Sequence, residues 1–125
     1  MIRWCVVIEG APRSKKNSLR ILRGKAGRPF VAQSAEHNTW AQKAVWQLRN
    51  QWRRPPVTAP VNMAAVVYRE KAVGDLLNYL AAVSDALEAA GVIANDRQVV
   101  TVDGCRMEKD KARPRVEVEI TEVGE

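Results

Sequence analysis

Three aspartates within residues 74–98, GDLLNYLAAVSDALEAAGVIANDRQ, have the residue type and spacing to do chemistry. Laid on a helix at ~100° per residue, Leu76, Leu80, Val83 and Leu87 form one apolar stripe, while Asp75, Asn78 and Asp85 line up on another face. Asp96 follows in a loop, just ahead of an apolar strand. Carboxylates of this kind, completed by waters and substrate phosphates, are what the hard Mg²⁺ ion binds. Ions held this way can activate a water and neutralise charge on a phosphodiester. The same aspartates also have readings without chemistry: Asp75 as a helix N-cap, Asp85 as a solvated side chain and Asp96 as a turn residue. Other routes are closed by composition. His37 is the single histidine, and Cys5 and Cys105 stand far apart in the sequence. Neither a zinc site nor a covalent nucleophile with a neighbouring base is on offer.

Positioning these residues takes a helix entered at Asp75 and closed by Gly91. Before it, Ile2–Glu9 predicts a strand with Ile2, Trp4, Val6 and Ile8 on one apolar face, and LRIL and PFVA predict the arms of a hairpin across GKAG. Ser34 then caps a helix in which Trp40, Ala44, Leu48 and Trp52 recur at core spacing and His37 sits exposed in the first turn. RRPP at 53–56 ends that helix, since proline cannot continue it and disfavours helical geometry in the residue before it. Val61–Tyr68, Val99–Met107 and Arg115–Thr121 are apolar runs of strand length, the last two joined by EKDKARP as an antiparallel hairpin. Val116, Val118 and Ile120 alternate with Glu117, Glu119 and Thr121, which predicts one wet face for the last strand.

The expectation is one α+β domain over residues 1–125: a mixed sheet packed with two main helices, in the order strand, hairpin, helix, strand, helix, strand, strand. A chain of 125 residues can bury a sizeable core. Both cysteines read as reduced thiols in or near that core. Residues 1–10 lack the apolar run of a signal peptide and no stretch approaches a membrane span, so a soluble intracellular protein is expected.

Charge is unevenly spread. Residues 1–69 hold thirteen Lys and Arg against Glu9 and Glu36, a net of +11, whereas residues 70–125 hold seven against twelve acids, a net of −5. Arg13, Lys15, Lys16, Arg20, Arg23, Lys25 and Arg28 fall in GAPRSKKNSLRILRGKAGRPF, which contains no acid. Lys and Arg displace condensed counterions from a nucleic-acid backbone, so a basic hairpin can follow one; the segment also reads as a basic loop with no ligand. Arg53 and Arg54 are further candidates to reach phosphate.

PRSKKNSLRI, RPFVAQS with the tryptophan-bearing helix after it, GDLLNYLAAVSDALEAAGVIANDRQVV with its internal DAL, and PRVEVEITE together resemble the RusA family of Holliday-junction resolvases, in particular its phage and prophage members. The resemblance runs over nearly the whole chain. It implies a small homodimer, cytoplasmic in a bacterial cell and phage or prophage encoded, that resolves four-way DNA junctions in recombination and repair. The cuts would be paired nicks dependent on Mg²⁺, with Mn²⁺ as an alternative. By position, Asp75 is similar to the first catalytic aspartate of the family, Asp96 to the last, and Asp85 to the aspartate of the DAL; Asn78 matches the family asparagine. Arg13, Lys15, Lys16, Asn17, Arg20, Arg23, Lys25 and Arg28 are the candidate DNA contacts. The chain departs from the pattern at Leu77 and Ala81, where better-studied members carry an aspartate and a lysine, and Glu70 is the candidate replacement ligand. These departures bear on catalytic strength and on the number of metal ions. They keep open a branched-DNA-binding protein with a weakened or lost nuclease site, and, beyond that, a nuclease for another branched or single-stranded substrate. A four-way junction presents two-fold-related strands, which suits a C2 dimer with one site per protomer.

If the basic segment follows phosphates, replacing Lys15 and Lys16 with alanine should weaken binding to every branched DNA. The slope of log K against log salt should then fall in magnitude by up to ~2, near one per lost contact; an unchanged slope would remove this segment from the interface.

Overall fold

In the computed structural model the elements are Arg3–Glu9 (β1), Leu19–Arg23 (β2), Pro29–Gln33 (β3), Ala35–Gln51 (α1), Val61–Arg69 (β4), Leu76–Ala89 (α2), Val99–Thr101 (β5), Arg106–Lys109 (β6) and Arg115–Glu122 (β7). The structure describes residues 2–13, 19–23, 29–33, 35–71 and 74–124, of which 19–23, 29–33 and 35–38 as backbone alone. β2 and β3 pair antiparallel with Ile21 opposite Val31, which is the hairpin expected across GKAG. The other strands form one mixed sheet in the order β1, β7, β4, β5, with β6 also pairing with β4.

β4 is the centre of this sheet. Val61, Met63, Ala65 and Val67 alternate along it and are fully or almost fully buried. Val116, Val118 and Ile120 of β7 and Val6 and Ile8 of β1 extend the same apolar surface. The face between them is wetter, with Glu117 and Glu119 half-buried, as the alternation in β7 predicts. α1 and α2 cover the apolar face. Trp40, Ala44, Leu48 and Trp52 turn inward from the first helix and its C-terminal end, and Leu80, Val83 and Leu87 from the second. α2 ends in a Schellman motif: Val92 N–H donates to Leu87 O at 2.9 Å and Gly91 N–H to Glu88 O at 3.1 Å. Gly91 takes φ +77° there, a conformation open to glycine at little cost.

Among the described residues the outer edge of β1 has no strand beside it, and side-chain amides of α1 take that place. Gln51 accepts from Val7 N–H at 2.8 Å and donates to Val7 O at 2.7 Å. Gln47 accepts from Glu9 N–H at 2.7 Å and donates to Glu9 O at 3.1 Å. Two carboxamides thus copy the peptide groups of a missing strand, which docks the helix and blunts an edge otherwise open to pairing.

The predicted strand over Val99–Met107 is divided. A turn at Asp103–Gly104, with Gly104 at φ +92°, separates β5 from β6. Asn62 holds the turn by accepting from Asp103 N–H at 2.8 Å and donating to Asp103 O at 3.1 Å. Asp-Gly is turn chemistry inside an apolar run. The expected hairpin between the last two strands is also replaced. β6 runs parallel to β4, and β7 returns antiparallel on the opposite side of β4. Residues 110–114 can extend ~17 Å, and the crossing spans two strand spacings of ~4.8 Å, so the link can pass over the end of β4. Arg115 pins the crossover, donating to Asp110 at 2.9 Å while its guanidinium stacks 3.7 Å over the Tyr68 ring.

Two further expectations change, at Cys5 and Ile2, while Cys105 packs against the core as expected. Cys105 is half-buried, and its thiol donates to Met63 O at 3.1 Å. Cys5 is exposed, because the two-residue period of β1 that turns Val6 and Ile8 inward turns Cys5 outward. Ile2 lies before β1 and is exposed rather than part of its apolar face.

Leu87 has no solvent exposure; Leu87→Ala should destabilise the fold by about 2–5 kcal/mol through lost burial and the cavity left behind. Urea unfolding checks this, and a loss below ~0.5 kcal/mol would remove Leu87 from the cooperative core.

Candidate active site

Asp75 occupies the N-cap position of α2 with extended backbone, φ −104° and ψ 140°. Its carbonyl accepts from Asn78 and Tyr79 N–H, both at 3.1 Å. Its carboxylate caps no helical N–H; Asn78 Nδ2 donates to Asp75 Oδ2 at 3.3 Å instead. The residue therefore opens the helix by its backbone and keeps an exposed carboxylate, steadied by one amide.

Glu70 follows the last residue of β4 at the same end of the molecule and pairs with Arg13 at 3.4 Å. This contact brings the start of the basic segment against the β4–α2 connection. Tyr79, one turn into α2, is buried. Burial pushes its phenol above the usual tyrosine range, Arg69 and Arg13 pull it down, and Asp75 adds to the upward push. All three charged groups are thus within electrostatic reach of the ring. Tyr79 was not singled out in the sequence, where it reads as one more apolar position beside Leu80. The available signal was its hydroxyl, since a tyrosine on a buried stripe needs a polar partner for its tip.

Asp96 sits at the other end of α2. It opens a 3-10 turn, Asp96–Gln98, capped by Asn95, whose side chain accepts from Arg97 N–H at 2.9 Å. Gln98 completes the box by accepting from Asn95 N–H at 2.7 Å, and its amide donates to Val57 O at 2.7 Å and Ala59 O at 2.9 Å. Glu88, in the last turn of α2, accepts from Asp96 N–H at 2.8 Å. Every one of these contacts fixes backbone, and the Asp96 side chain stays exposed. Glu88 and Gln98 are positioning residues that the sequence pattern did not mark.

α2 thus keeps the aspartates apart. Its 14 residues span ~21 Å at 1.5 Å per residue, with Asp75 at one end and Asp96 against the other. Asp85 is exposed on the same helix, ~15 Å beyond Asp75 along the axis. Among the described residues no three His, Cys, Asp or Glu side chains lie close enough to hold a metal ion. Within one chain the aspartates do not fit a shared Mg²⁺. Leu77 is 76% exposed and Ala81 is exposed too, so the two positions that depart from the family pattern lie on the outer surface of α2.

Of the candidate DNA contacts, Arg13 is seen in its pair with Glu70, and Arg20 and Arg23 lie on β2. Lys15, Lys16, Asn17, Lys25 and Arg28 fall outside the described residues, as does the side chain of His37.

The profile of the family described as Endodeoxyribonuclease RusA matches residues 9–121, which takes in both ends of α2 and every strand of the sheet except most of β1. The chain belongs to the RusA family. A curated relative, the crossover junction endodeoxyribonuclease RusA of Aquifex aeolicus (strain VF5), is 28% identical over 92 residues, covering 73% of this chain and 70% of the relative. Among the described residues of this RusA-family chain, no helix is long and apolar enough to cross a membrane.

The exposure of Leu77 makes its substitution informative. Leu77→Asp should leave unfolding free energy within about 0.5 kcal/mol of the parent and add an oxygen ligand beside Asp75, tightening Mg²⁺ binding by calorimetry. A loss of several kcal/mol would mean that Leu77 is buried in the assembled protein.

Proposed function

We propose that this chain is a structure-selective endodeoxyribonuclease that resolves four-way DNA junctions by paired nicks, as a homodimer using Mg²⁺ or Mn²⁺. The observation that carries the reading is the position of Asp75 and Asp96, both exposed and a helix length apart. Mg²⁺ takes its oxygens at ~2.1 Å, so one chain cannot close a site with both. Two copies related by a two-fold axis, with their α2 helices antiparallel, bring Asp75 of one protomer to Asp96 of its partner, and do so twice. Two identical sites match two symmetry-related strands of a junction. The family membership and the junction endonuclease named among the relatives support the same substrate.

Divalent ions, when bound, supply an activated water and neutralise charge at the cleaved phosphate. The chain's residues hold and orient. Asn78 steadies the Asp75 carboxylate, while Glu88 and the Asn95–Gln98 box hold the Asp96 loop still. Glu70 stands in for the carboxylate absent at Leu77, and Asp85 adds negative charge nearer the Asp96 end. Arg13, held by Glu70, presents its remaining N–H groups to phosphate. The basic segment from Lys15 to Arg28 holds the adjoining backbone. On this reading the protein works in the bacterial cytoplasm, on chromosomal or phage DNA during recombination and repair.

A second reading, a branched-DNA-binding protein with a weakened or lost nuclease site, is favoured by Leu77 and Ala81 on the exposed face of α2. The two are separated by cleavage of a synthetic four-way junction with and without Mg²⁺ or Mn²⁺. Asp75→Asn and Asp96→Asn should each abolish nicking while junction binding is kept or tightened, because each removes a ligand and a negative charge facing the backbone. Refolded together, the two variants should regain nicking, since half the sites of a mixed dimer pair an intact Asp75 with an intact Asp96. A wild-type protein that cuts beside a mixture that stays silent would refute the shared site. A wild-type protein that binds junctions and never cuts would establish the second reading.

A further inference from the structure

At the end of the domain that carries Asp96, an open cleft of about 350 Å³ is lined by Trp4, Cys5, Gln51, Trp52, Arg53 and Arg54, with no acid among them. Trp4 and Trp52 meet edge to face, centroids 5.6 Å apart with planes at 70°. The Arg54 guanidinium lies over both indoles, 5.6 Å from one centroid and 5.5 Å from the other. Trp52 is itself fixed, buried and donating its indole N–H to Pro55 O at 3.3 Å. Arg53 is exposed and uses Nε on Asn50 O at 3.3 Å, leaving its terminal nitrogens outward. Among the described residues, neither arginine has an ion pair, and Arg54 donates no hydrogen bond within the protein.

Stacking separates Arg54 from Arg49 and Arg97, which are also exposed without an ion pair among the described residues, and pairing sets it apart from the rest. Arg3, Arg13, Arg106, Arg113 and Arg115 are each paired with a carboxylate of the same chain. A guanidinium stacked on two rings has given up much of its side-chain freedom in advance, so less entropy is lost when it binds. Its planar fork of N–H donors matches the oxygens of a phosphate. Two such groups at adjacent residues, without a competing acid in the cleft, fit neighbouring phosphates of one strand.

We infer that Arg54, seated on the Trp4–Trp52 pair, and its neighbour Arg53 form a second backbone grip for DNA at the Asp96 end of the domain, remote from the Arg13–Glu70 end. The inference rests on the nuclease reading above and adds to it a surface that the basic amino-terminal segment does not include. Distance supports it. Val57, three residues past Arg54, exchanges backbone hydrogen bonds with Val92 and Ala94, at 2.9 and 3.1 Å, and Asp96 is two residues further on. The reach of those links bounds the Arg54–Asp96 separation at roughly 22 Å, six or seven nucleotides along a strand at ~3.4 Å each. A junction arm leaving a cut site at Asp96 could therefore pass the cleft.

The test is junction binding by the full chain over a salt series, without divalent ions so that no strand is cut. Arg53→Gln and Arg54→Gln should each lower the magnitude of the log K against log salt slope by about 0.9, and Arg54→Lys, which keeps the charge, should keep the slope. Because Arg54 covers two indoles, Arg54→Gln could loosen the corner; Arg53→Gln leaves the stack intact, and its slope decides if the other variant fails to fold. A wild-type slope in Arg53→Gln overturns the inference. If Lys15 and Lys16 variants lose slope while Arg53→Gln does not, this surface falls and the nuclease reading stands. If the unaltered chain does not bind junctions at all, both fall together.

Discussion

The stiffness and length of α2 constrain everything else in this molecule. Leu80, Val83 and Leu87 are buried among residues of the sheet and of α1, and each contributes roughly 1.5–3 kcal/mol by leaving water. A helix seated this way cannot bend to bring its ends together. The spacing of Asp75 and Asp96 is therefore a property of the core, and the chemistry has to accommodate it. Among the described residues that separation leaves no metal site within one chain, and it is why the function proposed above calls on a two-fold pair of antiparallel helices.

β4 gives the rod its direction. Pairing on both sides places its carboxyl end beside the ends of β6 and the start of β7, where Glu70, Arg13 and Asp75 gather. Its amino end faces Val99 of β5, near the loop that carries Asp96. The glutamine contacts between α1 and β1 serve the same arrangement from the outer edge. They hold α1 along β1 so that its C-terminal Trp52 reaches Trp4 and presents Arg53 and Arg54 at the Asp96 end. Both ends of the domain thus carry an exposed aspartate with arginines close by.

Several charged groups work only for the fold. Glu9 is held below the usual carboxylate range by its hydrogen bonds from Arg113, and Asp110 is lowered chiefly by Arg115. Both pairs staple the crossover between β6 and β7 to the rest of the sheet. A carboxylate with a lowered folded-state pKa adds stability above its unfolded pKa and loses it as pH falls through the folded value. These contacts weaken in acid and are intact at neutral pH, where a nuclease would act. The Glu9–Arg113 pair is well exposed, so its contribution is small, whereas the Asp110–Arg115 pair is part-buried, with the Arg115 side chain largely covered.

The sequence by itself determined which segments are helix and strand, because a period near 3.6 with good caps and a period of two leave little choice. Trp40, Ala44, Leu48, Leu80, Val83 and Leu87 were legible as core on spacing alone, and Gly91 as a helix end. Asp75 and Asp96 stood out as candidate site residues through their resemblance to family positions. Which strand lies beside which was not legible. A link of the length of EKDKARP suits a tight hairpin as well as a passage over β4, and only the need to satisfy both edges of β4 decides between them. The Asp-Gly turn within an apolar run, the inward tyrosine near Arg13 and the glutamines that replace a strand all depend on partners distant in sequence. Tertiary structure alone decided that the aspartates stand apart, since helical angle can be read from a sequence face by face, while the distance that counts for a shared ion runs along the axis.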